Sequence, residues 1–257
     1  MNLFDSHSHY NDEKFDVDRE EIIKETILNG VSNFIVAGYN LESSKKAIEI
    51  AQEYEAAYAI VGISPNDADE IKACVNENLL KIEKMANNKK VVAIGEIGLD
   101  YYWNKENKEL QKEIFIKQIE IANKLKLPIV IHTRDAFVDT IEILKQNNVN
   151  KKGIFHCCPL NQELIKEAIK LGYYISLSGV ITFKNAKNVE EILTLIPEDK
   201  LLIETDSPYL SPEPLRGKRN NSMNVKYVAE KIAQIKNKTI EEIAELTNQN
   251  AKNIFNI

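Results

Sequence analysis

The chain contains four histidines, and their positions indicate a metal site. His7 and His9 lie two residues apart in a short apolar run at the start of the chain, so a β-strand would present both imidazoles on one face. His132 and His156 each lie at the end of a later apolar run. Imidazole is a preferred ligand of divalent transition metals, so this pattern predicts metal binding. For His7 or His9 taken singly, the alternative is a hydrogen-bonded histidine of the core.

Two carboxylates occupy similar positions. Glu96 lies between two glycines in an apolar run, and Asp206 follows another such run. A buried charge is costly without a partner, and a metal centre would supply one. Six ligands exceed the needs of one tetrahedral site, so the set predicts two divalent ions that share a bridging carboxylate. Ligation rich in imidazole favours Zn²⁺ or Mn²⁺ over Mg²⁺.

Short apolar segments alternate with longer amphipathic ones along the whole chain. The predicted strands are Leu3–His9, Asn33–Tyr39, Ala57–Ser64, Val91–Asp100, Pro128–Thr133, Gly153–Cys158, Tyr173–Gly179 and Leu201–Pro208. The predicted helices are Asp18–Asn29, Glu42–Glu55, Asp69–Asn87, Asn107–Leu125, Ala136–Gln146, Gln162–Leu171 and Val189–Leu195. A loop at Tyr209–Asn221 and two terminal helices follow, and the second of these opens with a capping box at Thr239 and Glu242.

This alternation of eight strands with helices predicts an α/β fold of the (β/α)8 barrel type, a TIM barrel. The alternative, an open doubly wound sheet, is disfavoured because no glycine-rich fingerprint follows the first strand. No linker or break in composition divides the sequence, so residues 1–257 are predicted to form a single domain. Catalytic residues of such barrels gather at the carboxyl ends of the strands, which is where all six predicted ligands fall.

Composition restricts the class of protein. The 257 residues are 44% hydrophobic and 28% charged, as in ordinary globular proteins. No apolar run reaches the ~20 residues that cross a bilayer, and no signal peptide is evident, so no membrane partner is expected. Cys74, Cys157 and Cys158 form an odd, unpatterned set, which predicts a reducing cytoplasm, and the last two are expected to be small buried residues. The net charge of −6 requires that a nucleic-acid substrate meet a local basic patch or bound metal ions.

The sequence resembles the TatD family of metal-dependent hydrolases, among the amidohydrolase-like barrels, essentially from end to end. The motifs that carry the resemblance are Asp5-Ser6-His7-Ser8-His9, Gly95-Glu96-Ile97-Gly98-Leu99-Asp100-Tyr101, His132-Thr133-Arg134, Phe155-His156-Cys157, Glu204-Thr205-Asp206-Ser207-Pro208-Tyr209-Leu210 and Arg216-Gly217-Lys218-Arg219-Asn220. The resemblance implies that His7 and His9 bind one metal and that His132 and His156 bind the other. It also implies that Glu96 bridges the two metals, and that Asp206 ligates the first and takes a proton from the attacking water.

The same resemblance implies the activity. Members of the family hydrolyse phosphodiester bonds in DNA or RNA, typically by 3′→5′ trimming, so the expected function is that of a deoxyribonuclease acting on a single-stranded 3′ end. Other members remove D-amino acids from tRNA, so an aminoacyl ester, or a small ester or amide, is the alternative substrate. A metal-binding protein with little catalysis is the third possibility. The protein is expected to be a monomer.

Two segments depart from the family pattern. Ser64-Pro65-Asn66 stands where the family usually has His-Pro-His after the third strand, and Asn221-Ser222 stands where it usually has Glu-Pro. In the family, the first motif lies beside the metals and near the substrate phosphate or the leaving group. Serine and asparagine form hydrogen bonds but cannot carry a proton as an imidazolium does. We therefore expect metal binding to persist, with Ser64 as a substrate contact and an altered rate or substrate preference.

Basic and aromatic side chains supply the candidate substrate contacts. Arg134 could grip a phosphate in bidentate fashion, and the alternative is an ion pair with Asp135 or a loop carboxylate. The basic stretch near the eighth strand could contact a nucleic-acid backbone, and its alternative is a solvated or structurally tied loop. Its members are Arg216, Lys218 and Arg219. The aromatic residues 101–103 could stack on bases or simply pack a loop, and Asp100 could orient a ligand histidine.

Overall fold

One parallel sheet of eight strands organises the protein in the computed structural model, which describes all residues from Met1 to Ile257. The strands are β1 (Leu3–Ser8), β2 (Val31–Ala37), β3 (Ala57–Val61), β4 (Val91–Asp100), β5 (Ile129–Arg134), β6 (Gly153–Phe155), β7 (Tyr174–Leu177) and β8 (Leu201–Ile203). Each strand pairs with the next in chain order. The first and last strands meet where the His9 amide donates to the Ser207 carbonyl at 2.7 Å. The predicted (β/α)8 barrel is confirmed.

Ten α-helices surround the sheet. They are α1 (Arg19–Leu28), α2 (Leu41–Glu53), α3 (Ala68–Ile71), α4 (Val75–Met85), α5 (Lys108–Leu125), α6 (Phe137–Gln146), α7 (Gln162–Lys170), α8 (Val189–Leu195), α9 (Val225–Lys236) and α10 (Ile240–Phe255). The predicted capping box at Thr239 is present at the start of α10. No helix is both long and apolar enough to span a membrane.

The hydrophobic core has two parts. Most buried apolar side chains lie in the layer between strands and helices, while a smaller cluster includes Phe4, Ile35, Ile60 and Val130 from four strands. Phe255 of α10 joins this smaller cluster and stacks on Phe4 with ring centroids 6.2 Å apart. The terminal helix therefore packs against residues near the amino ends of the strands and leaves the carboxyl ends free for the site.

The predicted bounds were wrong for several strands, and the largest errors fall at the carboxyl ends. β6 ends at Phe155 rather than Cys158, and β8 ends at Ile203 rather than Pro208. Cys157 and Asp206 have φ values of 38° and 54°, which a β-strand cannot accommodate. The segments after β6 and β8 therefore turn sharply at this edge of the barrel. β3 likewise ends at Val61, because the segment that follows turns into a short 3-10 helix at Pro65–Asp67.

The predicted helix at 69–87 is divided in two. α3 covers one turn, and α4 begins after Cys74, whose ψ of 47° interrupts the helical backbone. The Cys74 carbonyl accepts hydrogen bonds from both the amide and the side chain of Asn78, which starts the second helix. The break leaves α3 close to the end of β3 and to Ser64.

Candidate metal centre

The structure brings all six predicted metal ligands together at the carboxyl end of the barrel. His7 lies in β1, Glu96 in β4 and His132 in β5. The other three follow strands: His9 and His156 come directly after β1 and β6, and Asp206 comes three residues after β8. In β4 the pairing register shifts between Ile94 and Ile97, so Glu96 lies in an irregular part of the strand. Such irregularities re-aim side chains near active sites.

Glu96 lies between two pairs of imidazoles. Its Oε2 atom is 3.6 Å from Nε2 of His7 and 3.9 Å from Nε2 of His9. Its Oε1 atom is 2.9 Å from Nδ1 of His132 and 3.3 Å from Nε2 of His156. Each carboxylate oxygen thus faces one histidine pair, which is the arrangement needed for a carboxylate that bridges two metal ions.

Asp206 completes the group on the His7 and His9 side. Its Oδ1 atom lies 3.2 Å from Nε2 of His9 and 3.9 Å from Nε2 of His7. The His7 ring also stacks on the ring of His156 with centroids 4.0 Å apart, so the two halves of the cluster are in contact. Three sets of side chains place their donor atoms within 4.8 Å of one another. These sets are His7, His9 and Glu96; Glu96, His132 and His156; and His7, His156 and Asp206.

Unpartnered buried nitrogen atoms show that these residues fit a metal. Both ring nitrogens of His7 are buried and form no hydrogen bond, and the same holds for Nδ1 of His156. A buried polar atom without a partner costs about 1–3 kcal/mol, so such atoms are rare in folded proteins. A divalent ion on the cluster would satisfy Nε2 of His7 and would also offset the buried charge of Glu96.

The cluster is electrostatically coupled in the absence of metal. Burial disfavours the charged form of Glu96, but the surrounding imidazoles hold its pKa well below the usual range. Burial also opposes protonation of His156, yet Glu96 and Glu204 raise its pKa well above the ordinary value. The pKa of His7 is lowered, because burial and the neighbouring His156 disfavour its charged form. Metal ions bind neutral imidazole, so metal binding at His156 releases a proton.

Further carboxylates hold the imidazoles in place. Nε2 of His132 lies 2.9 Å from Asp100, as expected from the sequence for an orienting residue. Two further carboxylates, Asp5 and Glu204, are fully buried and were not predicted to belong to the site. Glu204 lies 3.5 Å from Nδ1 of His156 and accepts a hydrogen bond from the Cys157 amide at 2.6 Å. The sequence does contain a signal for Glu204, because it is a carboxylate at the end of an apolar run and lies two residues before Asp206.

Substitution of Asp100 by asparagine is expected to weaken metal binding at His132 by about 10–100-fold, because the partner that orients the ring is lost. Competition with a chromogenic chelator measures this affinity. Asp199→Asn is the matched control, since Asp199 is exposed and forms no hydrogen bond or ion pair. Equal affinities in the two variants would show that Asp100 does not support the site.

A cavity of about 850 Å³ opens above the cluster. All the predicted ligands except His7 line it, together with Ser64, Asn66, Trp103 and Arg134. Cys157 also lines the cavity and is partly exposed, so its predicted burial was wrong, whereas Cys158 is buried as predicted. The Cys157 thiol lies 3.2 Å from the Ser178 hydroxyl.

Arg134 is held by aromatic rings and not by a carboxylate. Its guanidinium carbon lies 3.8 Å from the centroid of Tyr102 and 5.5 Å from that of Trp103. The Asp100 side chain accepts hydrogen bonds from the amides of both aromatic residues and so fixes this loop. The donors of Arg134 are free of ion pairs and face a cavity that Trp103 also lines.

The basic stretch of residues 216–219 does not line the cavity. Arg219 pairs with both carboxylate oxygens of Asp18, and Arg216 packs over the Phe183 ring at 3.7 Å. Two of the three predicted nucleic-acid contacts therefore have structural partners. Lys218 is exposed and has no side-chain partner, so it is the member of this stretch that is available to a phosphate.

Several known proteins match this chain over nearly its whole length. A family model described as TatD related DNase matches residues 4–256. An uncharacterized metal-dependent hydrolase of Bacillus subtilis, YabD, is 45% identical over 99% of both chains. Another, YcfH of Escherichia coli, is 34% identical over 100% of this chain and 97% of its own. The crystal structure of YJJV, a TatD homolog from Escherichia coli, superposes with a TM-score of 0.93 at 25% identity and covers 99% of this chain and 98% of its own.

Proposed function

Because the chain belongs to the TatD family of metal-dependent hydrolases, which it matches from residue 4 to residue 256, we propose that it is a deoxyribonuclease. Its substrate is a single strand of DNA, from which it removes nucleotides in the 3′→5′ direction, and RNA is the related substrate. The observation that carries the proposal is the carboxylate of Glu96, with one oxygen toward each histidine pair. This arrangement suits a pair of metal ions, and such pairs are common in phosphodiester cleavage.

His7, His9 and Asp206 would hold one divalent ion and His132 and His156 the other, with Glu96 between them. The ions would lower the pKa of a water molecule and neutralise charge on the phosphate oxygens. Asp206 is suited to accept the proton of that water. Burial disfavours its charged form, but His9 lowers its pKa below the ordinary value, so the carboxylate is ionised at neutral pH.

The exposed rings beside the cavity favour a single strand over a duplex. Trp103 and Tyr102 are 68% and 50% exposed, and a nucleobase of an unpaired strand can stack on such rings. Arg134, stacked on the same loop, is placed to donate to a phosphate. Lys218 is the proposed contact to a more distant phosphate. We infer that the enzyme acts as a cytoplasmic monomer.

A direct comparison of two substrates tests the proposal. Protein loaded with Mn²⁺ is expected to shorten a 5′-labelled single-stranded oligonucleotide stepwise from its 3′ end. It is expected to release D-tyrosine from D-Tyr-tRNA much more slowly. Faster turnover of the aminoacyl ester would assign the protein to ester hydrolysis, and turnover of neither substrate would contradict the proposed nuclease.

A further inference from the structure

Ser64 and Asp67 form a hydrogen-bonded pair in the wall of the cavity. The Ser64 hydroxyl donates to Oδ2 of Asp67 at 2.5 Å, and Oδ1 of Asp67 accepts from the side chain of Asn40 at 3.0 Å. Both members of the pair line the cavity. The Ser64 amide donates to the Tyr39 carbonyl at 2.7 Å, so the backbone at Ser64 is anchored as well.

This pair lies beside the metal cluster but outside it. The ring of Tyr39, the residue that anchors Ser64, lies 5.7 Å from the ring of His9. Asp67 is partly buried, and burial together with the negative charge of Glu96 raises its pKa above the ordinary value, although Ser64 and Asn40 donate to it. Asp67 therefore holds a proton more readily than an exposed aspartate does.

Other groups in the cavity wall are less suited to release a proton. Burial and the hydrogen bond to Asp12 at 2.7 Å raise the pKa of the Tyr209 hydroxyl above its usual value, which makes it a weaker acid. The partial burial of Cys157 and the nearby carboxylates of Asp206 and Glu204 raise the pKa of its thiol well above the usual value. Burial and nearby carboxylates likewise raise the pKa of the Tyr39 phenol, which makes it a weaker acid. Asp135 is exposed and forms no hydrogen bond through its side chain.

We propose that Asp67 supplies a proton, through the Ser64 hydroxyl, to the oxygen that leaves phosphorus. This inference rests on the proposed phosphodiesterase function. When Asp67 is protonated, it donates to Ser64, and the Ser64 hydroxyl proton is then free to point into the cavity. When Asp67 is ionised, the same hydroxyl points back at the carboxylate, as it does in the structure.

The step conserves atoms and protons. The oxygen of a water molecule bonds to phosphorus as the bond between phosphorus and the 3′ oxygen of the preceding nucleotide breaks. One proton of the water passes to Asp206. The Ser64 hydroxyl proton passes to the departing 3′ oxygen, and the Asp67 proton replaces it on Ser64. Asp67 then takes a proton from solvent, and Asp206 releases to solvent the proton that it accepted from the water.

Two substrates with different leaving groups test the relay. In the dinucleotide TpT the leaving group is an alkoxide, which needs a proton. In thymidine 5′-(p-nitrophenyl) phosphate the same phosphorus releases nitrophenolate, which departs without one. The expected result is that Asp67→Asn lowers kcat for TpT by about 10²-fold or more, and that kcat for the nitrophenyl ester changes less than about 3-fold.

Ser64→Ala provides a second test of the same step and replaces the first if the Asp67→Asn variant does not fold. It is expected to show the same dependence on the leaving group. Glu70→Gln is the matched control, because Glu70 is exposed on α3, forms no hydrogen bond or ion pair and does not line the cavity. Its turnover of both substrates should equal that of the parent.

The outcomes separate the relay from the proposed function. If the parent hydrolyses neither substrate, the phosphodiesterase function itself fails, and the relay fails with it. If the parent hydrolyses both, and the Asp67 and Ser64 variants lose both equally or neither, only the relay is overturned. Dependence on the leaving group in Tyr39→Phe instead of Asp67→Asn would assign the proton to the phenol.

Discussion

Replacement of Glu96 by glutamine is expected to abolish most hydrolysis and to reduce the amount of bound metal. Each Glu96 oxygen faces one pair of imidazoles, at 3.6 Å from His7 and 2.9 Å from His132. A neutral amide removes the negative charge shared by the two proposed ions and offers an NH₂ group to one histidine pair. Because bound metal supplies several kcal/mol of transition-state stabilisation, kcat/KM should fall by about 10³-fold or more.

Metal analysis and activity are to be measured on the same samples. The parent and Glu96→Gln are loaded with Mn²⁺, passed through a desalting column, analysed for metal and assayed on the oligonucleotide. Glu120→Gln is the control, because Glu120 is exposed on α5 and forms no ion pair. We expect two metal ions per chain in the control and one or none in Glu96→Gln. A Glu96→Gln protein with two metal ions and the parental rate would refute a bridging role.

The barrel and its ligand cluster were predictable from sequence because both follow from position in a repeating pattern. Each strand presents its last residues at the same edge of a parallel barrel, so side chains from β1, β4 and β5 must meet there. Only the residue types and the strand order are needed for that conclusion. His132 illustrates it, since it lies four residues after Pro128, at the end of three apolar residues, and reaches the cluster within β5.

The orientation of the supporting residues was not predictable in the same way. Asp5 accepts hydrogen bonds from Thr205, 200 residues away, and Glu204 accepts one from the Cys157 amide. Such contacts depend on how the backbone turns after β6 and β8, where the left-handed residues Cys157 and Asp206 follow the strands. Arg219 is a similar case. Its charge suggests a phosphate contact, but its pairing with Asp18 depends on how the loop that follows β8 lies against the segment before α1.

The segment after β3 contains a titratable group that its departure from the family pattern does not indicate. In the sequence, Ser64-Pro65-Asn66 indicates only that two imidazoles are absent. In the structure, the same segment begins a 3-10 turn that brings Asp67 back onto the Ser64 hydroxyl. A titratable group is therefore present in this wall of the cavity, at the residue that directly follows the motif.

Asp206→Asn is expected to lower kcat by about 10²–10⁴-fold, because a positioned carboxylate that accepts the proton of the attacking water contributes a factor of this size. Asparagine has nearly the same shape but cannot accept that proton. Oδ1 of Asp206 lies 3.2 Å from His9, and the charge interaction with this imidazole keeps the pKa of Asp206 below its ordinary value despite burial. Steady-state kinetics on the oligonucleotide, compared with the exposed control Asp199→Asn, measure the loss.

A titration with metal distinguishes a proton acceptor from a simple ligand. If Asp206 only holds an ion with His7 and His9, excess Mn²⁺ should restore the rate of Asp206→Asn, because mass action refills a weakened site. If Asp206 also takes the proton, the rate stays low when the sites are full. We expect the second result, because Asp206 lies 3.2 Å from His9 as an ionised carboxylate suited to accept the proton. Full recovery of kcat at saturating Mn²⁺ would limit Asp206 to metal binding and require another base.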